Sequence, residues 1–170
     1  MSASDSPISE LSPLQSLANI IHSLDCRSVL LCSHSPLEGL DRLCAEMSCE
    51  LNVVLANQDH TPDIPMQRFD LVVVADYLEH HSQSEGTTFI SRLRNLHSNH
   101  IAVFQQEGSQ DRWPESAFYA LALKHQHRFE HADSESLQLY TYDIESYNHK
   151  RTWNNARFWA NPENFGRYWW

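Results

Sequence analysis

The chain has 170 residues, 41% of them hydrophobic, enough for one folded domain with a core and too apolar for general disorder. Its formal net charge of −10 argues against binding to a nucleic-acid backbone. The opening "MSASDSPISE" has no basic start and no apolar core, and no apolar run approaches the roughly 20 residues of a membrane helix. A cytoplasmic protein with no membrane contact is therefore expected.

Residues 1–10, rich in serine and acid, read as a flexible tail. A helix follows, with Ser12 as N-cap, Pro13 at the first position and Gln15 closing a capping box. Leu14, Leu17, Ile20, Ile21 and Leu24 form its apolar stripe. "RSVLLCS" (27–33) suits a buried strand. Ser35 and Glu38 repeat the capping-box spacing and predict a second helix, with Leu37, Leu40, Leu43, Cys44 and Met47 inward. "LNVVLA" (51–56) is a second strand, and 57–68, with two prolines and no periodicity, is a loop.

"FDLVVVAD" (69–76) is the strongest strand, suited to the centre of a sheet covered on both faces. Each buried Val or Leu there contributes about 1.5–3 kcal/mol. Ser82 and Glu85 form another capping box, and Phe89, Ile90, Leu93 and Leu96 give that helix its inner face. "HIAVFQQ" (100–106) is a strand, and Pro114 begins a helix with Phe118, Leu121 and Ala122. "HRFEHA" (127–132) and "LQLYTYD" (137–143) read as two strands joined by a polar turn. Alternation followed by two successive strands predicts an α/β fold. It is a mostly parallel sheet in a three-layer sandwich with a C-terminal antiparallel strand pair, spanning residues 11–143.

This order of elements, with "FDLVVVADYLEH", resembles the class I methyltransferases that use S-adenosylmethionine, over roughly residues 27–143. In that family an "FDLV" strand ends in an acidic residue, often followed by "LEH". The closing "RFWANPENFGRYWW" is similar to the tail of an uncharacterised bacterial family of similar length. The resemblance implies a Rossmann-like fold and, in an active protein, S-adenosylmethionine as cofactor. The implied cofactor contacts are Ser33, His34 and Ser35 after the first strand, Asn57 and Asp59 after the second, and Asp76.

The chain departs from the family pattern in three places. The family's first strand leads into a glycine-rich loop, whereas Cys32 to Glu38 contain no glycine. Asn57 stands nearest to where the family places a ribose-gripping acid, with Asp59 two residues on. The family's third strand has no counterpart between "LNVVLA" and "FDLVVVAD" and is expected to be missing. These departures favour a divergent methyltransferase-like domain that has lost cofactor binding and acts as a scaffold or protein-interaction module. The alternative is an active methyltransferase on an unknown, small acceptor.

Ligands of open parallel sheets lie beyond the carboxyl ends of the strands, where strand order reverses. That crevice is expected between residues 33–38 and 76–81, where Asp76, Glu79, His80 and His81 converge. Asp76, Glu79 and His80 share a face if the turn is helical, and they are the candidate catalytic residues. A carboxylate beside a histidine can move protons. The competing reading has Asp76 capping the turn, with Glu79 and His80 solvated.

Cys26, Cys32, Cys44 and Cys49 lack CxxC spacing and read as buried thiols. The histidine groups His97 with His100, and His125 with His127 and His131, show no ligand spacing, so no metal is expected.

Residues 144–170 form an aromatic, basic C-terminal segment. Four cations against Glu163 give residues 150–170 a net charge of +3, leaving −13 on the other 149 residues. Trp153, Arg157, Phe158, Trp159, Phe165, Arg167, Tyr168, Trp169 and Trp170 are its candidate interaction residues. Such a segment packs on its own acidic domain or on a partner, either a second copy or another protein. Interleaved Arg and aromatic side chains can stack on single-stranded nucleic acid, but the acidic body opposes it.

Overall fold

The computed structural model describes residues 11–57, 62–109, 113–131 and 134–147. Six strands form one sheet: β1 (Ser28–Ser33), β2 (Glu50–Leu55), β3 (Leu71–Val74), β4 (His100–Gln106), β5 (Lys124–Phe129) and β6 (Leu137–Asp143). Their order is β2-β1-β3-β4-β6-β5. The pairs β1–β2, β1–β3 and β3–β4 are parallel, and β6 runs antiparallel to both β4 and β5. The sandwich expected from the alternation of elements is present, with its antiparallel pair at the C-terminal end.

Alternating strand residues serve two cores. Leu30, Val72, Val74, Val103 and Tyr140 pack against α3 (Gln83–Arg92) and α4 (Glu115–Ala120). Val29, Leu31, Val73, Phe104 and Leu139 pack against α1 (Pro13–Ser23) and α2 (Leu40–Glu46). All four residues of β3 are buried, as a strand covered on both faces requires. Among the described residues, β2 is an outer strand, in keeping with the missing third strand, and Val53 and Leu55 are 49% and 53% exposed. No described helix is long and apolar enough to cross a membrane.

The capping boxes at Ser12 and Ser82 form as their spacing predicts. The one expected at Ser35 does not. There α2 starts at Leu40, with Gly39 as its N-cap in the left-handed region at φ 86°. The backbone angle favours glycine, and a Cβ there would lie 2.8 Å from Leu14 Cδ1, the movable end of that side chain.

Two other expectations shift. After α3 the chain widens into a π turn, Leu93–His97, with Ser98 N–H donating to the Leu93 carbonyl. The extra residue in that turn carries Leu96 out to 48% exposure and brings His97 in, where Nδ1 hydrogen-bonds the Gln67 carbonyl. The fifth strand starts at Lys124, earlier than "HRFEHA" suggests, because a bulge between His125 and His127 breaks the alternation.

Asp70 ties the entrance of β3 to that of β1. Its Oδ2 accepts from the Arg27 and Ser28 amides at 2.9 and 3.0 Å and from Ser28 Oγ at 3.1 Å. The four cysteines are free and buried, and burial pushes the Cys32 thiol up to about 12.

Candidate functional site

The strand order reverses between β1 and β3. Cys32 pairs with Val74 there, so the chain leaves both strands at the same edge. The loop 33–39 and the turn 75–81 face each other across that edge, and the His34 N–H donates to the Asp76 carbonyl at 3.1 Å. Asp76 itself is left-handed, at φ 46°, a conformation aspartate tolerates better than most residues. That twist turns its side chain back toward the β1 loop.

Both carboxylate oxygens of Asp76 are engaged. Ser35 Oγ donates to Oδ2 at 2.6 Å, and His80 Nε2 lies 2.8 Å from Oδ1. This explains why Ser35 does not cap α2: its hydroxyl is committed across the crevice. Burial alone would raise the Asp76 carboxyl, but the Ser35 hydroxyl and the His80 ring outweigh it and hold it below its ordinary value.

His34 comes from the opposite wall. Its Nε2 is 3.0 Å from His81 Nε2, and its ring lies 4.4 Å from that of His80, centroid to centroid. His81 stacks on Tyr77 at 4.3 Å, and Tyr77 stacks on Phe89 at 4.2 Å. The turn 76–81 is thus anchored in the α3 core, and three imidazoles stand over the ends of β1 and β3. Tyr77 was not among the residues singled out from sequence. An aromatic next to Asp76 in "ADYLEHH" was the available signal.

The other candidates lie differently. Ser33 is fully buried and its hydroxyl donates to the Ser35 carbonyl, so it closes the loop on itself. Glu79 leaves the Asp76–His80 pair, because Leu78–His80 forms a 3₁₀ turn and Glu79 Oε1 accepts the Gln106 N–H at 2.8 Å. Asn57 is exposed just past β2. Asp59 and the interaction residues of 150–170 lie outside the described residues. No cluster of three metal-ligating side chains occurs among the described residues. Beside Asp76 and Glu79 is a cavity of about 150 Å³, lined mainly by Leu14, Leu17, Phe104 and Leu137.

The hydrogen bond between His34 and His81 requires one ring to donate and the other to accept, so it cannot survive when both are protonated. Burial, then the neighbouring His80 and His81, lowers the His34 value below the ordinary 6.5, with Asp76 offsetting part of it. Burial also lowers His81, opposed by Glu85 and reinforced by His80. The unfolded chain therefore takes up these protons at higher pH than the folded one. Stability contributed by the pair is complete above about pH 6.5 and declines as pH falls through that value. NMR titration of the histidine rings is expected to show both midpoints below 6.5. Midpoints at or above 6.5 for both rings would contradict the burial that lowers them.

A family model described as a family of unknown function (DUF6231) matches residues 11–170. No curated protein matches the chain. Among solved structures, magnesium protoporphyrin IX methyltransferase (ChlM) from Synechocystis PCC 6803 with bound SAM superposes with a TM-score of 0.52 and 10% identity. That match covers 76% of this chain and 79% of the other. The N-terminal domain of EvdMO1 with SAH bound gives a TM-score of 0.50 and 15% identity, covering 80% of this chain and 82% of the other. Likeness at this level of identity concerns the fold, which is that of the class I methyltransferases.

Proposed function

The chain belongs to the DUF6231 family, whose function is unknown, and we propose that it keeps a methyltransferase fold without S-adenosylmethionine binding and serves as a protein-interaction scaffold. The observation that carries this reading is the His34–His81 hydrogen bond, which spans the space between the β1 loop and the β3 turn.

Three further features support it. No glycine between Cys32 and Glu38 lets a ligand approach bare backbone, and Gly39 is spent on the turn against Leu14. Ser33 and Ser35 direct their hydroxyls within the protein. The cavity that reaches Asp76, at about 150 Å³, is below the roughly 300 Å³ at which small-molecule pockets begin, and the larger hollow of about 670 Å³ beside Pro36–Gly39 is lined by neither Asp76 nor His34. These residues do not fit an adenosyl group.

Thermal unfolding with millimolar S-adenosylmethionine, or with its demethylated product, tests this. The expected midpoint is the same with and without ligand. A ligand present at a hundredfold its dissociation constant would add about 2.7 kcal/mol, raising the midpoint by about 5–10 °C in a chain of this size. A rise of that order overturns the loss of binding.

The Asp76–His80 pair favours a second reading, an active methyltransferase on a small acceptor. Asp76 fixes the orientation of His80, leaving Nδ1 to take a proton from the acceptor. Methyl transfer to any acceptor, lost in His80→Gln, would select this reading over the first.

A further inference from the structure

The face of the sheet that carries α1 and α2 has no described helix over its β6–β5 side. A groove of about 380 Å³ lies there, between α1 and the outer strands. Ile20 of α1 and its C-cap Leu24 line one side, and Leu139, Thr141 and His127 of β6 and β5 line the other. Ser16, also on the groove, is 3% exposed, and its hydroxyl has no hydrogen-bond partner among the described residues.

The described chain leaves at the rim of this groove. Asp143 lines it, the short helix α5 (Ile144–Tyr147) follows, and the Ile144 N–H is held by the Asn99 carbonyl. Ile144 is exposed at the exit. Twenty-three residues remain, 148–170, rich in Trp, Phe and Tyr. Fully extended they would span up to about 75 Å, several times the roughly 16 Å length of α1. The net +3 charge of 150–170 complements the −13 of the rest. Trp supplies a large apolar face to lie against Ile20, Leu24 and Leu139. Attachment at the rim also gives the segment a millimolar effective concentration over any free competitor.

We propose that residues 148–170 seat their aromatic side chains in the groove between α1 and the β6–β5 side of the sheet of the same chain. This is independent of whether the crevice near His34 takes a cofactor.

Disulfide trapping in the full chain tests it. Asn19, exposed on the groove rim, is changed to cysteine and combined in turn with Asn154→Cys, Ala160→Cys and Asn164→Cys. The native cysteines are buried and stay out of the reaction. At least one pair is expected to close within a single chain under mild oxidation, while Asn19→Cys alone closes none.

Acrylamide quenching gives a second readout. Four of the five tryptophans lie in 148–170, and the fifth, Trp113, is fully buried. Ile20→Arg and, on the strand side of the groove, Thr141→Arg are each expected to raise the quenching constant at least twofold with the far-UV circular dichroism retained. Disulfides between chains with a doubled sedimenting mass would mean that the groove receives a second copy's segment, which overturns seating in the same chain. Absence of every disulfide, with quenching that neither substitution changes, overturns it as well. Where a groove substitution unfolds the chain, the disulfide pairs decide.

Discussion

Phe118→Ala is expected to lower the thermal midpoint by about 10 °C or more. Phe118 is fully buried and stacks on Tyr140 with ring centroids 3.9 Å apart and planes 4° from parallel. Trp113 closes the other side at 5.4 Å. Truncating a core Phe costs about 3–5 kcal/mol, from lost burial and from the cavity left behind. Each kcal/mol moves the midpoint by about 2–4 °C in a chain of this length. The effect should sit at the upper end because α4 has six residues and no side-chain cap, so Phe118 is its main anchor. The Phe118 carbonyl also receives the Leu121 and Leu123 amides, which lead into β5. Urea titration supplies the measurement, and a loss under 1 kcal/mol would mean that α4 is not held through this ring.

Asp70→Ala is expected to cost about 2 kcal/mol at neutral pH, because one carboxylate oxygen accepts three hydrogen bonds, each charge-assisted. The exposed position of Asp70 keeps the loss below what a buried network would show, since water can satisfy the Arg27 and Ser28 amides. Burial would raise its carboxyl, but those amides and the Ser28 hydroxyl outweigh it and hold the group below 3.8. The folded state therefore binds that proton less readily than the unfolded one. The contribution is complete above about pH 4 and fades as pH falls through the lowered folded value. The gap in stability between the original chain and Asp70→Ala should thus narrow under acid. A gap that stays constant from pH 7 to pH 3 would show that the carboxylate is not the source.

The two acids of "FDLVVVAD" show what a sequence can and cannot disclose. Burial of Leu71 to Val74 on both sides follows from the apolar run, because only a central strand tolerates it. Ser12 and Ser82 were legible as caps because their partners lie three residues on. Ser35 carries the same local signal, yet its hydroxyl goes to Asp76, 41 residues away. Local spacing cannot weigh a contact that exists only once β1 and β3 are paired. His34 was legible as a side chain in a loop where the family places glycine, but not as the partner of His81, for the same reason. Leu96 misled because the period changes from 3.6 within a single turn, and nothing in "LRNLH" announces it.

Among the described residues the sheet stops at β2, and this has a consequence for amide exchange. Glu50 and Ala56 direct their amides inward, to the Arg27 and Ser33 carbonyls. Alternation then points the amides of Leu51, Val53 and Leu55 away from the sheet, where no described strand receives them. Their amide hydrogens are expected to trade with solvent orders of magnitude faster than those of Val72 and Val73. Among the described residues this margin of the sheet has no neighbouring strand, at a place where Val53 and Leu55 are about half exposed.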